Sequence, residues 1–485
     1  MCRAEACRAT AGCAGGWGRI VTDDAALAAL VESEAGALPL TVVTRESLVA
    51  TLNKLDPAIA HWVEATRFTA DAGQHLLVPG TDGKPLRVLA GAGESDAIWD
   101  LAGLPDALPE GTYTLDAASD DAHATPRTLG WALGAYAFTR YRARKRPPAR
   151  LVWPRQADRK LVARLARAQC RARDLINTPA EAMGPAELQQ AAEALAAKHG
   201  ARCTAIVGDE LLTRNYPTIH AVGRASSRPP RIVDLTWGDV RAPKLTLVGK
   251  GVCFDTGGLD LKTASGMRWM KKDMGGAATL LALGDAIMDA GLDVRLRIVV
   301  PAVDNAVSGD SLRPGDIVRT RQGTTVEIGN TDAEGRLILC DALAEAASEQ
   351  PNLIIDIATL TGAARVALGP DLPALFVRDD ALAASLVAAG TREGDPLWRL
   401  PLWQPYREML KTPIADINNV SEGPFAGAIT AALFLAEFVP TEIPWMHLDT
   451  YAWNGKTKPG RPEGGEALAL RALYAFATER YGGQR

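Results

Sequence analysis

The chain has 485 residues, enough for two or three domains, each with an ample core. A formal net charge of −4 and a pI near 6.0 argue against a dedicated nucleic-acid or membrane-surface protein. Seven cysteines show no disulfide framework, and no run of about 20 apolar residues marks a membrane span.

In chain order, residues 1–19 place Cys2, Cys7 and Cys13 among small residues without an apolar segment, unlike a secretory signal. They read as a disordered tail, and their spacing matches no zinc pattern. Residues 20–150 read as a small N-terminal α/β domain. Strands are predicted at Leu38–Val43, His75–Val78 and Leu86–Ala90, and a helix at Arg127–Arg144. The basic run Arg144-Lys145-Arg146-Pro147-Pro148 marks the domain boundary and reads as a solvated linker. A connecting helix, Arg159 to Leu175, falls within residues 151–175, and a second domain occupies 176–485. Pro185 opens a helix that Gly200 closes after His199. Strands at Arg231–Trp237, Leu245–Val248, Leu296–Val303 and Leu353–Leu360 then alternate with helices at Gly275–Ala290 and Leu337–Glu349. Near-continuous apolar strands between helices indicate an α/β sheet covered on both faces.

Two clusters of polar residues interrupt this pattern. Asn330-Thr331-Asp332-Ala333-Glu334-Gly335-Arg336-Leu337 sets two carboxylates and a guanidinium on alternate residues just before a helix. Alternate residues share a side only in extended backbone, so an extended turn would aim all three at one place. Acids that favour a surface helix start are the plainer alternative. Upstream, Gly249-Lys250-Gly251-Val252-Cys253-Phe254-Asp255-Thr256-Gly257-Gly258 follows a strand and reads as a strand-end loop; Lys262 and Asp273 come after it. It lacks the third glycine of a dinucleotide fingerprint, and no GxxxxGK[ST] occurs. Together Asp255, Asp273, Asp332 and Glu334 offer more acids than one ion usually takes from protein. They suit two divalent ions with oxygen-rich ligation, fitting magnesium or manganese and tolerated by zinc. Such a pair supports hydrolysis at a carbonyl.

At these residues the chain resembles the leucyl aminopeptidases, the two-metal cytosol aminopeptidases. NTDAEGRL matches the family signature without substitution, and KGVCFDTGGLDLK and MKKDMGGAA match closely. The resemblance continues through Arg173–Pro179, Asp356–Ala363 and Trp445–Asp449, and covers the chain from about residue 160 onward. It implies a three-layer α/β/α catalytic metallopeptidase domain with a central mixed sheet, and a cytoplasmic homo-hexamer with active sites facing an inner cavity. It further implies release of leucine and other apolar N-terminal residues from peptides, by a water held between the two metal ions.

The resemblance assigns roles residue by residue. Lys250, Asp255, Asp273 and Glu334 would hold one ion; Asp255, Asp332 and Glu334 the other, with the Asp332 carbonyl. Lys250 is an unusual ligand, because an amine coordinates only after losing its proton, against a free pKa of about 10.4. A neighbouring dication can drive that loss. Lys262 would polarise the scissile carbonyl, and Arg336 would hold a bicarbonate that shuttles a proton to the leaving amine. Leu360 and Gly362 would steady the substrate backbone; Met270 and Thr359 would line the side-chain pocket. Where relatives have a glycine-rich turn, this chain has Asn419–Thr430 with Pro424 and Phe425, which would stiffen and fill that loop.

Other catalytic schemes find little support. None of the six histidines lies in the metal blocks, and neither HExxH nor GxSxG occurs. His447 reads as a core or supporting histidine; Cys253 and Cys340 read as small buried thiols. A DNA-binding regulator and a catalytically silent scaffold are the other classes. The acidic balance opposes the first, and the full set of expected ligands opposes the second.

Overall fold

The computed structural model describes residues 25–93, 97–117 and 119–483. The expectation for residues 1–19, with Cys2, Cys7 and Cys13, lies outside the described residues. Two main sheets organise the chain. The first comprises β1 (Leu30–Val31), β2 (Leu38–Val43), β3 (His75–Pro79), β4 (Pro85–Gly91), β5 (Thr112–Leu115) and β6 (Arg150–Val152). Its order is β1-β6-β5-β2-β4-β3, parallel except for β3.

The second sheet comprises β7 (Arg202–Val207), β8 (Arg231–Trp237), β9 (Lys244–Gly249), β10 (Gly251–Asp255), β11 (Arg295–Asn305), β12 (Leu353–Ala358), β13 (Ala374–Val377), β14 (Trp398–Arg399) and β15 (Trp445–Asp449). Its order is β14-β13-β15-β12-β9-β11-β8-β7, with β10 also paired to β11. The central strands β15, β12, β9 and β11 are parallel, while β13, β8 and β7 each run antiparallel to a neighbour, so the sheet is mixed.

Side chains alternate across a strand, and here the alternation divides two cores. Leu245, Leu247, Leu296, Ile298, Leu353, Ile355 and Ile357 pack with the helix Gly275–Ala290. Val248, Val299, Val303, Ile354 and Ala358 pack with the helix Glu334–Ser348 on the other face. The result is the three-layer α/β/α arrangement expected.

The helix Arg159–Asn177 joins the two halves. Asp158 caps its start by accepting from the Leu161 N–H. Near its end the fully buried Arg173 pairs with Glu466 and donates to the carbonyls of Leu133 and Gly460. Residues of both halves are therefore tied to one guanidinium.

Some local expectations need correction. The helix predicted over Arg127–Arg144 runs instead from Ala124 to Ala135. Beyond it the sequence loses its apolar stripe, and Arg144 turns back to donate to the Ala135 carbonyl at 2.6 Å. The basic run is not a free linker: Arg144 pairs with Asp106 and Arg146 donates to Leu108 O. The chain past that run, in β6, still belongs to the first sheet. Gly251–Asp255 forms a short strand on β11 rather than a loop.

Candidate metal centre and active site

Strands β9, β12 and β15 are parallel and finish at one edge of the sheet. Immediately past these ends come Lys250, Thr359 with Leu360, and Thr450 with Tyr451. This carboxyl edge is where open α/β sheets place their sites. The Lys250 N–H donates to Ile357 O at 3.0 Å, which fixes the lysine between β9 and β12. β10 then delivers Asp255 opposite Asn305, whose amide donates to Asp255 Oδ1 at 2.8 Å. Gly257 and Gly258 follow with φ of +89° and +64°, a conformation other residues adopt with strain, and the turn returns the chain to Lys262.

Asp273 lies in the 3₁₀ turn Met270–Met274 that leads into the helix Gly275–Ala290. Glu334 opens the helix Glu334–Ser348. Two acids thus come from the starts of helices on opposite faces, where helix dipoles favour negative charge.

The groups meet closely. Lys250 Nζ lies 2.8 Å from Asp273 Oδ2 and 2.9 Å from Glu334 Oε1, and donates to Thr359 O at 2.9 Å. Lys262 Nζ lies 2.8 Å from Asp255 Oδ2 and also contacts Asp332 Oδ1. The Thr359 hydroxyl donates to Asp273 Oδ1 at 2.7 Å. All front a cavity of about 630 Å³.

The electrostatics are those of crowded acids. Burial, then repulsion from Asp255, pushes Glu334 up to about 8 and Asp332 up to about 6. Burial also opposes charge on Lys250, but Asp273, Glu334 and Asp255 outweigh it and hold the ammonium well above its usual range. Burial works against Asp273 too, yet Lys250 and Lys272 keep its carboxyl below the ordinary value. For Lys272 burial dominates and lowers it to about 8.

This donor set fits divalent cations. Carboxylate oxygens of Asp255, Asp273 and Glu334 lie within 4.8 Å of one another, and Asp332 stands beside them. Glu334 Oε2 is buried without a hydrogen-bond partner, so it retains a lone pair for a cation. Hard oxygen donors around a shared cavity are what magnesium, manganese and zinc accept.

Of the predicted site residues, Lys250, Asp255, Lys262, Met270, Asp273, Asp332, Glu334, Thr359, Leu360 and Gly362 all line the cavity. Arg336 does not. The extended turn expected for the octapeptide is helical from Glu334 onward, and two residues along a helix are roughly 200° apart. Arg336 is buried, donating to Asn419 O at 2.6 Å, while its Nε has no partner. Burial lowers its guanidinium to about 10.

The Asn419–Thr430 segment departs from expectation as well. Phe425 is 76 % exposed, so its ring does not fill the loop. His447 is fully buried against Asp356, its Nδ1 2.5 Å from Oδ1, away from the acids. Burial pushes the Cys253 and Cys340 thiols well up, which makes them poor nucleophiles.

Sequence reasoning overlooked Trp269, Lys272, Thr361, Arg365, Thr450 and Tyr451 in the cavity wall. A signal existed for some of them. Thr450 and Tyr451 directly follow a strand, at the same sheet edge as Lys250, and Arg365 lies one helical turn beyond Gly362.

Comparison with known proteins agrees with this geometry. Residues 170–474 match the catalytic domain of the cytosol aminopeptidase family, and residues 38–154 match the N-terminal domain of the M17 aminopeptidases. A probable cytosol aminopeptidase from Roseiflexus castenholzii is 42% identical over 71% of this chain and 74% of its own length. The cytosol aminopeptidase of Coxiella burnetii is 49% identical, with a TM-score of 0.90 over 94% of this chain and 100% of that one. The bottromycin maturation enzyme BotP, solved in complex with Mn, is 35% identical with a TM-score of 0.82, covering 92% and 99% of the two chains. The chain belongs to the cytosol aminopeptidase family. It is a metallo-aminopeptidase of the leucyl aminopeptidase type, acting on the N-terminal bond of peptides.

Proposed function

We propose that the enzyme works with two divalent ions per subunit, one held by Lys250, Asp255, Asp273 and Glu334, the other by Asp255, Asp332 and Glu334. The buried, mutually close oxygens of Asp255, Asp273 and Glu334 carry this reading. When bound, the ions supply Lewis-acid activation of water and of the scissile carbonyl. Manganese is the first candidate, since a relative was solved with it; zinc and magnesium suit the same donors.

The protein's own groups do the rest. Lys262, charged and facing the cavity, donates to the oxygen on which negative charge develops. Met270 and Thr359 border the side chain of the departing residue, which an apolar group such as leucine's fits, and Leu360 and Gly362 hold its backbone. Arg336 would hold a bicarbonate, because its buried Nε lacks any partner. We assign this machinery to residues 176–485, with residues 20–150 and the connecting segment 151–175 as a supporting unit. By family, the enzyme works in the cytoplasm as a homo-hexamer on peptide substrates.

The shared ligands give a direct test. Asp255→Ala and Glu334→Ala should each lose both ions on dialysis, whereas Asp273→Ala should lose mainly one. Metal counting by mass spectrometry decides, and a bridge variant that retains two tightly bound ions would refute the arrangement.

A further inference from the structure

A buried carboxylate that the proposed chemistry does not use holds the turn after β12. β12 and β15 pair in parallel as far as Ala358 opposite Asp449, and the Thr450 N–H still donates to Ala358 O at 2.9 Å. Beyond Ala358 the chain leaves the sheet through Thr359, Leu360 and Thr361, whose N–H groups then need acceptors other than a strand. The Asp449 side chain, 3 % exposed at residue level, supplies two of them. Its Oδ1 accepts from the Leu360 N–H at 3.0 Å and from the Thr361 N–H at 3.2 Å. Its Oδ2 accepts from the Thr361 hydroxyl at 2.5 Å. That hydroxyl accepts in turn from the Ala364 N–H at 3.0 Å and so caps the helix Gly362–Leu368. A carboxylate taken out of water is costly unless hydrogen-bonded, and bonds to a charged acceptor are roughly twice as strong as neutral ones. Both Asp449 oxygens are spent on this one turn.

We propose that Asp449 is a positioning residue for substrate binding: it fixes the turn so that the main-chain groups of Leu360 and Gly362 meet the peptide backbone in one geometry. The inference rests on the roles given to Leu360 and Gly362 above. Both residues line the cavity, and the N–H groups of Leu360 and Thr361 tie the turn to Asp449. Without the carboxylate, two N–H groups and a hydroxyl lose their acceptor, and the turn must be reordered each time a substrate binds. That cost falls on binding. The metal ligands are secured separately, because Thr359 donates its hydroxyl to Asp273 and lends its carbonyl to Lys250. Loss of Asp449 therefore loosens the turn and leaves the ions in place.

Kinetics on a leucyl dipeptide with manganese-loaded enzyme test it. Asp449→Ala should raise KM at least about tenfold, the size of one charge-assisted hydrogen bond. Turnover should change less than about threefold, and manganese content should match that of the parent. Asp449→Asn keeps the shape and one oxygen for the two N–H groups, so it should recover most of the loss and leave KM about threefold high. That variant carries the test if Asp449→Ala fails to fold. Gly362→Pro checks the reading beneath the proposal by removing one N–H from the turn. Proline suits the first residue of a helix, Thr361 before it is extended with ψ of 142°, and a Cβ at Gly362 meets nothing within 4 Å. Its KM should rise as well. A raised KM in Gly362→Pro with an unchanged one in the folded Asp449 variants would overturn the positioning role and spare the site reading. A loss confined to turnover, or one that follows lost manganese, would also overturn it. An unchanged KM in Gly362→Pro would remove the backbone reading and the positioning role together.

Discussion

Lys262 and Arg336 differ in position, and their variants should differ in kind. Lys262 faces the cavity between Asp255 and Asp332, so Lys262→Ala removes a donor aimed at the developing oxyanion. Turnover should fall by roughly 10²–10³, as for other such donors, with both ions retained. Arg336→Ala should cost less, because the activated water remains and another base can partly replace the bicarbonate. Saturating kinetics on a leucyl substrate is the check; unchanged turnover for Lys262→Ala would confine that residue to binding. Protons form the second residue-scale prediction. Burial and Asp255 raise Glu334 to about 8, and the surrounding acids hold Lys250 well above its usual range, so both bind protons at pH 7. A divalent ion must displace those protons, and raising the pH removes the competitor. Apparent metal affinity should therefore climb with pH, about tenfold per unit for each proton displaced, and binding should release protons. Calorimetry in buffers of different ionisation enthalpy measures the release; none at pH 7 would contradict Lys250 as a ligand.

Between elements, the decisive contact is that of the helix Glu334–Ser348 with the residue after β9. A Cβ at Gly335 would lie 2.6 Å from Lys250 Cε and 2.7 Å from its Nζ. Those atoms belong to the flexible end of a side chain, so Gly335→Ala should shift the lysine rather than unfold the helix. Metal affinity should drop at least about tenfold, with only a small change in melting temperature, because Ala suits a helix better than Gly. A large loss of stability with intact metal binding would contradict the packing described. This contact was not legible in the sequence, since nothing in the octapeptide shows that its glycine clears a lysine some eighty residues earlier. Its acids were legible, because four carboxylates in two clusters have no other inexpensive arrangement. The backbone of the octapeptide was misread for a local reason. The alternation of Asp332, Glu334 and Arg336 suggested extended backbone, while the apolar residues beyond already belonged to a helix starting at Glu334.

At the scale of the whole chain, the apolar strands of the second half announced a doubly covered sheet, and its central strands formed close to where expected. The antiparallel members β7 and β13 went unread, as did the short β5 and β6, whose three or four residues carry too little period to detect. What joins the halves was also hidden: Arg173 and Glu466 lie far apart in sequence, and only the folded chain buries them together. That rigid frame brings the ends of β9, β12 and β15 together, so that lysines and acids from distant segments share one cavity. On the proposed chemistry, this cavity hydrolyses peptides through divalent ions. Titration of manganese into chelator-treated enzyme, with release of leucine from a leucyl peptide as readout, tests it most directly. The chelated enzyme should be inactive, and activity should return and saturate near two ions per chain. Full activity in rigorously metal-stripped protein would contradict the account.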